Sequence, residues 1–503
     1  MPLKTLHLTN SWHETSGGIA TFYRALLDEA NRRGQQMRLV VPGPEDRVEK
    51  IGAQGKIYYL QSPRSKFNPA YRTIYPSQFL FGESKVQSIL RDERPDVVEI
   101  CDKYTLNYLG AVLRMRLLSG VDFRPVVVGL SCERMDDNFR SYLGKRWYAQ
   151  RFCSFYMKTI YFPFFDHHVA NSTHTADELR EASRDQLTPR AIWVRPMGVD
   201  LQHLTPRRRS DELRRRLLEN FGAPPESALL LYVGRLVPEK NLELLFRTLE
   251  RLAGTAARDC RLLVIGDGIE RTRWETEAAQ QLPGRTLFLG HIGDREALAN
   301  IYANADVFVH PNPQEPFGIA PLEAMASGLP LVAPNCGGVT SYAHCGNAWT
   351  VEPTADAFCD AVGEALQNSP TRAERVSSAL ATVTQYRWEP VAAAFLDLYE
   401  QFHRGSKGGP LQLRPDFESS SAPGWQAALL HTSSQLAQKA FAFGSRFVRV
   451  TRADRRQSER TDTGVWVGSE SKVDKVFPRR EALSMNSWLR KSAASKPDQR
   501  TQP

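Results

Sequence analysis

The sequence predicts an α/β protein built from two doubly wound domains, and three observations predict it. Short apolar runs alternate with amphipathic stretches, the rhythm that yields a parallel sheet with right-handed crossovers. The rhythm comes in two series, separated near residue 200 by Arg195-Pro196-Met197-Gly198-Val199-Asp200 and a basic segment from Arg207 to Arg216. The chain has 503 residues, too many for one compact core and suited to two large domains plus an extension.

The elements follow in order. Leu3 to Leu8 is short and apolar enough for a buried strand, and Gly17-Gly18 closes the polar loop after it. Ile19, Phe22, Leu26 and Ala30 recur at helical spacing up to Arg33, where Gly34 supplies a stop. Met37 to Val41 is the next strand, closed by Pro42-Gly43, and the pattern returns at Asp96–Ile100, Pro125–Leu130 and His167–Ala170. His167 and His168, opening a strand, read as structural. These elements make a first domain, residues 1–200. The second, 201–385, takes strands at Leu229–Val233, Arg261–Ile265, Thr286–Leu289, Val307–Val309 and Leu331–Ala333, with helices such as Leu242–Leu252 and Ala355–Leu366 between them. Ligands of such sheets bind beyond the carboxyl ends of the strands, and between two such domains they bind in the cleft.

Composition bounds the function. Hydrophobic residues make up 42% and charged residues 24%, the balance of an ordinary globular protein. No run reaches the roughly 18–20 apolar residues that span a bilayer, and the first residues lack the apolar stretch of a signal peptide. The 7 cysteines are scattered without a CxxC pair, which argues for a reducing cytoplasm over a disulfide framework or zinc site. Residues 404–503 hold 18 basic and 9 acidic residues, leaving 47 of each in residues 1–403, so the whole net charge of +9 belongs to the tail. A neutral body with a basic tail points away from nucleic acid. It leaves peripheral contact with an anionic membrane surface open to the tail. Within the tail, 404–424 reads as linker and 451–503 as disordered. Between them Trp425, Leu429, Leu436, Ala440, Phe443, Phe447 and Val450 mark an amphipathic segment, 425–450.

Two clusters carry chemistry. In Val233-Gly234-Arg235-Leu236-Val237-Pro238-Glu239-Lys240-Asn241 a strand ends in Gly234, and Arg235 and Lys240 precede a helix expected from about Asn241. Two cations beyond a strand's carboxyl end, beside a helix N-terminus, suit a diphosphate and would stabilise charge on a departing nucleotide. The alternative is a basic pair on a surface loop. The second cluster, His310-Pro311-Asn312-Pro313-Gln314-Glu315-Pro316-Phe317-Gly318-Ile319-Ala320-Pro321-Leu322-Glu323, again reads strand, loop, helix. Gly318 permits close approach to the backbone, and Gly328 ends the helix before Pro330. Glu315 and Glu323 lie at different depths around one helix N-terminus, where carboxylates can accept from sugar hydroxyls and amides can meet phosphate. A capped helix with solvent-facing Glu residues is the alternative.

With these residues in view, the chain resembles glycosyltransferase family 4, the group 1 glycosyltransferases. Glu315 and Glu323 match its EX7E element, the Arg235–Lys240 segment its donor-phosphate motif, and Gly17-Gly18-Ile19 its N-terminal glycine loop. Val264-Ile265-Gly266-Asp267-Gly268, Leu289-Gly290-His291-Ile292, and Asn171-Ser172 with Gly198-Val199-Asp200 resemble further blocks of the family, and the likeness extends over about residues 3–403. The resemblance implies a GT-B fold, two Rossmann-like domains facing each other across a cleft, and retaining, metal-independent transfer of a hexose from a nucleotide diphosphate sugar. That donor is a co-substrate, and no cofactor is expected. The acceptor would be a sugar or lipid-linked molecule of glycan, exopolysaccharide or glycolipid synthesis. The implied roles are neutralisation of the diphosphate by Arg235 and Lys240, donor-sugar binding by Glu315 and ribose binding by Glu323. Backbone at Gly234 and Gly266 and from Phe317 through Gly318 and Ile319 to Ala320 would meet donor sugar or phosphate, and His291 and Ile292 the base. Gly17 and Gly18 would close on the phosphates. Trp388 resembles the start of a helix, 386–403, that crosses back to the first domain. The expected location is the cytoplasm, with the inner membrane face within reach of the tail.

One position departs from the family. After the strand Pro125–Leu130, where many members carry His, this chain has Ser131-Cys132-Glu133-Arg134. A thiol does not hydrogen-bond sugar as imidazole does. Either Glu133 or Arg134 takes that work, or the correspondence slips by a residue, or activity is altered, so Cys132 and Glu133 stand as candidate catalytic residues. Asp136-Asp137 without further clustered ligands reads as a solvated loop and not a metal site. A non-catalytic scaffold of the same fold, or another reaction such as sugar-nucleotide epimerisation, remains the alternative. A dehydrogenase is disfavoured because Arg271 stands at the third glycine position after Gly266 and Gly268. From Phe139 to Phe165, aromatics interleave with Lys145, Arg146, Arg151 and Lys158. That composition suits an interfacial patch with snorkelling cations or helices packing aromatics into the core.

Overall fold

The computed structural model describes residues 2–12, 17–65, 71–81, 83–144, 147–184, 191–254 and 259–407. The expected linker, amphipathic segment and disordered end of the tail lie outside these. Among the described residues the chain forms two compact units. One takes in residues up to Gly198 together with Tyr386 to Lys407; the other is Val199–Gln385.

The first unit is built on eight strands: β1 (Lys4–Thr9), β2 (Gln36–Gly43), β3 (Arg47–Ile51), β4 (Gly55–Gln61), β5 (Val97–Cys101), β6 (Val126–Ser131), β7 (His167–Ala170) and β8 (Ile192–Val194). They run in the order β3-β4-β2-β1-β5-β6-β7-β8. All pairings are parallel except β3 with β4. Central strands such as β5 (VVEIC) and β6 (VVVGLS) are buried at every position, as a sheet covered on both faces requires. β3 (RVEKI) is charged, largely exposed and at the edge, which blunts it against pairing with another chain.

Helix Gly18–Arg33 follows β1. It ends on Gly34 in the left-handed conformation (φ 68°), with Arg32 and Arg33 complementing the dipole in its last turn. Helix Trp388–Lys407 packs on it, with Phe22 and Phe395 rings 4.8 Å apart and an Arg33–Asp397 ion pair at 2.5 Å. This helix runs to Lys407, past the expected change of character at Arg404. Gly198 lies beneath its first residue, where an added Cβ would sit 2.5 Å from the Trp388 ring. His167 stacks on Phe402 at 4.0 Å, and the buried His168 ring lies 3.0 Å from the Phe162 carbonyl.

The second unit has six parallel strands: β9 (Ala228–Val233), β10 (Cys260–Ile265), β11 (Thr286–Gly290), β12 (Val307–Val309), β13 (Leu331–Pro334) and β14 (Trp349–Val351). Their order is β11-β10-β9-β12-β13-β14. The chain leaves β9 toward β10 and β11 on one side, then returns to fill the other from β12. The switch point therefore falls between β9 and β12, where open α/β sheets collect ligands at the carboxyl ends of the strands. Helix Leu242–Gly254 buries Leu242, Leu245, Phe246, Leu249 and Leu252, and Phe246 stacks on Trp274 at 4.7 Å. Among the described residues no helix is long and apolar enough to cross a membrane.

Candidate functional site

The loops after β9 and β12 flank the switch point of the second unit. The residues after β9 do not enter a helix at Asn241. Pro238–Lys240 forms a 3₁₀ turn, Asn241 adopts a left-handed conformation (φ 51°), and the helix begins at Leu242. Asn241 donates to the Pro311 carbonyl at 3.1 Å, fixing this turn to the loop after β12. The turn aims Lys240 across the switch point, where its Nζ lies 3.0 and 2.7 Å from the two carboxylate oxygens of Glu315.

Glu315 is buried, and Asn312 also donates to it at 3.1 Å. Burial alone would raise its pKa, but the Lys240 ammonium brings it down to about 2, so the carboxylate is charged at neutral pH. His310, at the end of β12, places Nε2 3.6 Å from Glu315. Its own pKa is lowered to about 4 by burial, so the imidazole is neutral beside the ion pair. Gly318 is the N-cap of helix Ile319–Ala326 at φ 87°, and no side chain caps that helix N-terminus. An added Cβ at Gly318 would come 2.9 Å from Tyr342 Oη and 3.1 Å from Glu315 Cγ. The Tyr342 hydroxyl donates to the Gly318 carbonyl at 2.5 Å, and the Gly338 amide donates to the Glu315 carbonyl at 2.6 Å. The loop that presents Glu315 is thus held from both sides.

Glu323 lies on the same helix and accepts from the Tyr302 hydroxyl at 2.9 Å. Burial raises its pKa to about 7, against the pull of Tyr302 and Arg295. Arg235 keeps a half-exposed guanidinium 3.2 Å from Glu239, and its carbonyl accepts from Tyr232 Oη at 3.1 Å. Phe317 is buried against Tyr342, so its side chain serves the packing of this loop. Gly234 and Gly266 support one another. The Gly234 amide donates to the Ile265 carbonyl, and a Cβ at Gly266 would sit 1.9 Å from the Gly234 carbonyl oxygen. His291 is exposed and Ile292 half-buried in the loop after β11, which is tied back by a 2.8 Å bond from the Gly266 amide to the Gly290 carbonyl.

Gly17, Gly18, Cys132 and Glu133 belong to the other unit. Gly17 and Gly18 open the helix after β1, with open space beside Gly17 where a Cβ would be. Cys132 follows β6, and its thiol shares a hydrogen bond with Cys101; that bond and burial raise its pKa well above the ordinary value. Arg134 is committed to Asp136, Asp137 and the His174 carbonyl. The Glu133 carboxylate accepts from Asn138 at 2.8 Å, and burial raises its pKa. The Glu133 carbonyl is held at 2.5 Å by Lys103, which is also paired with Glu178. Asp136 and Asp137 form ion pairs with Arg134, and Asp137 with His174. Among the described residues no three His, Cys, Asp or Glu side chains are grouped to hold a metal ion. His310, Asn312 and Tyr302 were not marked by any spacing as partners of the two glutamates, nor Tyr342 as the partner of the Gly318 carbonyl. His310 and Asn312 stand beside Glu315 in the same polar, proline-rich loop, the one signal that could have singled them out.

Comparison with known proteins extends these findings. Residues 16–203 match the family model described as Glycosyltransferase Family 4, and residues 214–380 the one described as Glycosyl transferases group 1. A GDP-mannose-dependent alpha-mannosyltransferase of Mycobacterium tuberculosis (strain CDC 1551 / Oshkosh) is 31% identical over 326 residues, covering 64% of this chain and 76% of the relative. A GDP-mannose-dependent alpha-(1-6)-phosphatidylinositol dimannoside mannosyltransferase of Mycobacterium tuberculosis (strain ATCC 25177 / H37Ra) is 28% identical over 396 residues, covering 78% and 95%. Among solved structures, sucrose-phosphate synthase from Thermosynechococcus elongatus superposes with a TM-score of 0.62 at 20% identity, covering 80% of this chain and 100% of that one.

Proposed function

The chain belongs to glycosyltransferase family 4, the group 1 glycosyltransferases, and has their GT-B fold and glycosyltransferase activity; from that premise we propose a donor, an acceptor class and a role for each site residue. The donor is a nucleotide diphosphate hexose, GDP-mannose in the first instance, because two relatives are named for dependence on it. The acceptor is a glycolipid or lipid-linked sugar, in keeping with the phosphatidylinositol dimannoside in one relative's name.

The observation that carries this reading is the Lys240–Glu315 ion pair at the β9/β12 switch point. The two groups satisfy each other. A diphosphate sugar parts them by offering each a better partner: phosphate oxygens for the ammonium and sugar hydroxyls for the carboxylate. Arg235 adds a second cation to the diphosphate, amides at Gly318, Ile319 and Ala320 complete the phosphate and sugar contacts, and Glu323 accepts from the ribose. Backbone at His291 and Ile292 meets the base.

In the reaction the acceptor oxygen bonds to the anomeric carbon on the face from which the diphosphate departs. The carbon–phosphate-oxygen bond breaks, and the acceptor proton passes to the leaving phosphate, so configuration is retained without a protein nucleophile. Arg235 and Lys240 stabilise the departing charge in place of a metal ion, and positioning supplies much of the remaining acceleration.

Release of nucleoside diphosphate from GDP-mannose tests this reading, after a thermal-shift screen of GDP, UDP and ADP to establish the base. Lys240→Ala and Glu315→Ala should each lower turnover by about 10²-fold or more while the far-ultraviolet dichroism persists. Wild-type turnover in either variant would remove that residue from the mechanism. A wild-type protein that releases no diphosphate from any donor would favour the scaffold alternative.

A further inference from the structure

The helix Trp147–Tyr156 has two faces of opposite character. Ala149, Cys153 and Tyr156 are buried in the core of the first unit. On the other side Trp147, Tyr148 and Phe155 remain 70%, 47% and 59% exposed. Residues four apart form a row along a helix, so Trp147, Arg151 and Phe155 are aligned, with Tyr148 beside them. Arg151 is exposed as well. A single exposed aromatic is ordinary, but three on one ten-residue helix make an apolar surface that asks for a partner. The surrounding sequence sharpens the choice of partner. From Asn138 to Phe165 there is no Asp or Glu, while Arg140, Lys145, Arg146, Arg151 and Lys158 all fall within it.

We propose that this face docks on a bilayer containing anionic lipid, with the three aromatic rings at headgroup depth and Arg151 on lipid phosphate. Charge complementarity selects the bilayer: an acid-free cationic segment is drawn to an anionic leaflet and repels a second copy of itself. The side-chain chemistry agrees, since Trp and Tyr carry a polar edge on an apolar ring and favour the interface between water and hydrocarbon. The surface is distinct from the basic tail. It deepens the lipid-linked acceptor reading above, because an enzyme seated on the bilayer meets such acceptors by diffusion in two dimensions. Vesicle binding is nevertheless measured without donor or acceptor, so failure of this surface and failure of the proposed reaction are separate outcomes.

The experiment is co-sedimentation of the full chain with phosphatidylcholine vesicles, with and without phosphatidylglycerol. The wild type should partition onto the anionic vesicles. The double variant Trp147→Ser/Phe155→Ser should partition about tenfold less. That difference should persist at about 0.5 M salt, where attraction through charge alone is screened. Arg151→Glu should weaken binding chiefly at low salt. All three changes are on an exposed face, so thermal unfolding should match the wild type, and a variant that unfolds early is replaced by Phe155→Gln alone. Equal partitioning of wild type and double variant would overturn the proposal. So would a wild type that ignores anionic vesicles, or a double variant that alters only the oligomeric state seen by light scattering, which would give the face to a second copy of the chain.

Discussion

Lys240 and Glu315 are 75 residues apart, yet each is the other's partner, and both are largely buried. Removing one member leaves the other as a buried unpaired charge, which is why such pairs are costly to break singly. Glu323 differs, because burial leaves its carboxyl near neutrality with a pKa raised to about 7. If it accepts from ribose hydroxyls, as proposed, the charged form binds donor better and protonation competes with binding. Donor affinity should therefore rise as pH increases through about 7, and Glu323→Gln should flatten that dependence; calorimetric titration across this range checks both. The sequence offered the residue types and their motif spacing, but not these environments. Nothing in the spacing of Lys240 shows that it faces Glu315, or that Tyr302 reaches Glu323, since those contacts are made by loops and helices that meet only in the fold.

At the scale of elements, the site depends on backbones that approach too closely for any side chain. Gly266 is the plainest case, with φ 135° and the Gly234 carbonyl oxygen 1.9 Å from where a Cβ would be. Gly266→Ala should lower stability by about 2 kcal/mol or more and move the melting temperature by several degrees, because it adds strain to a clash; differential scanning calorimetry measures it. Strands buried over nearly their whole length, such as β9 (ALLLYV), were legible as continuous apolar runs. The charged edge strand β3 and the three-residue strands β8 and β14 were not, because short or half-exposed strands lack a distinctive period. The aromatic stretch from Phe139 to Phe165 left two readings open, and the fold divides it between them. Phe139, Tyr156, Tyr161, Phe162 and Phe165 go to the core, and Trp147, Tyr148 and Phe155 stay outside.

At the scale of the molecule, the α/β class and the paired doubly wound sheets were legible in the alternation of apolar runs. The closing helix was legible only through family resemblance, since its stripe alone does not say which sheet it covers. Its attachment is polar as well as apolar. Tyr399 donates to the fully buried Glu99, which also accepts from Tyr23 at 2.8 Å and lies 3.1 Å from His7. Tyr399→Phe should cost about 1–3 kcal/mol, the range for leaving a buried acceptor one hydrogen bond short, and chemical denaturation should register it.

That helix also sets an order of events in the cell. The first unit is begun by the earliest residues of the chain and closed by Trp388–Lys407, near the far end. During synthesis Phe22 must wait for Phe395, and Glu99 for Tyr399 a full 300 residues further on, while Val199–Gln385 emerges as an uninterrupted length. Ribosomal output therefore favours the later-encoded unit as the first to mature, reversing the usual N-to-C progression, and a fragment cut at the midpoint would inherit an unfinished half.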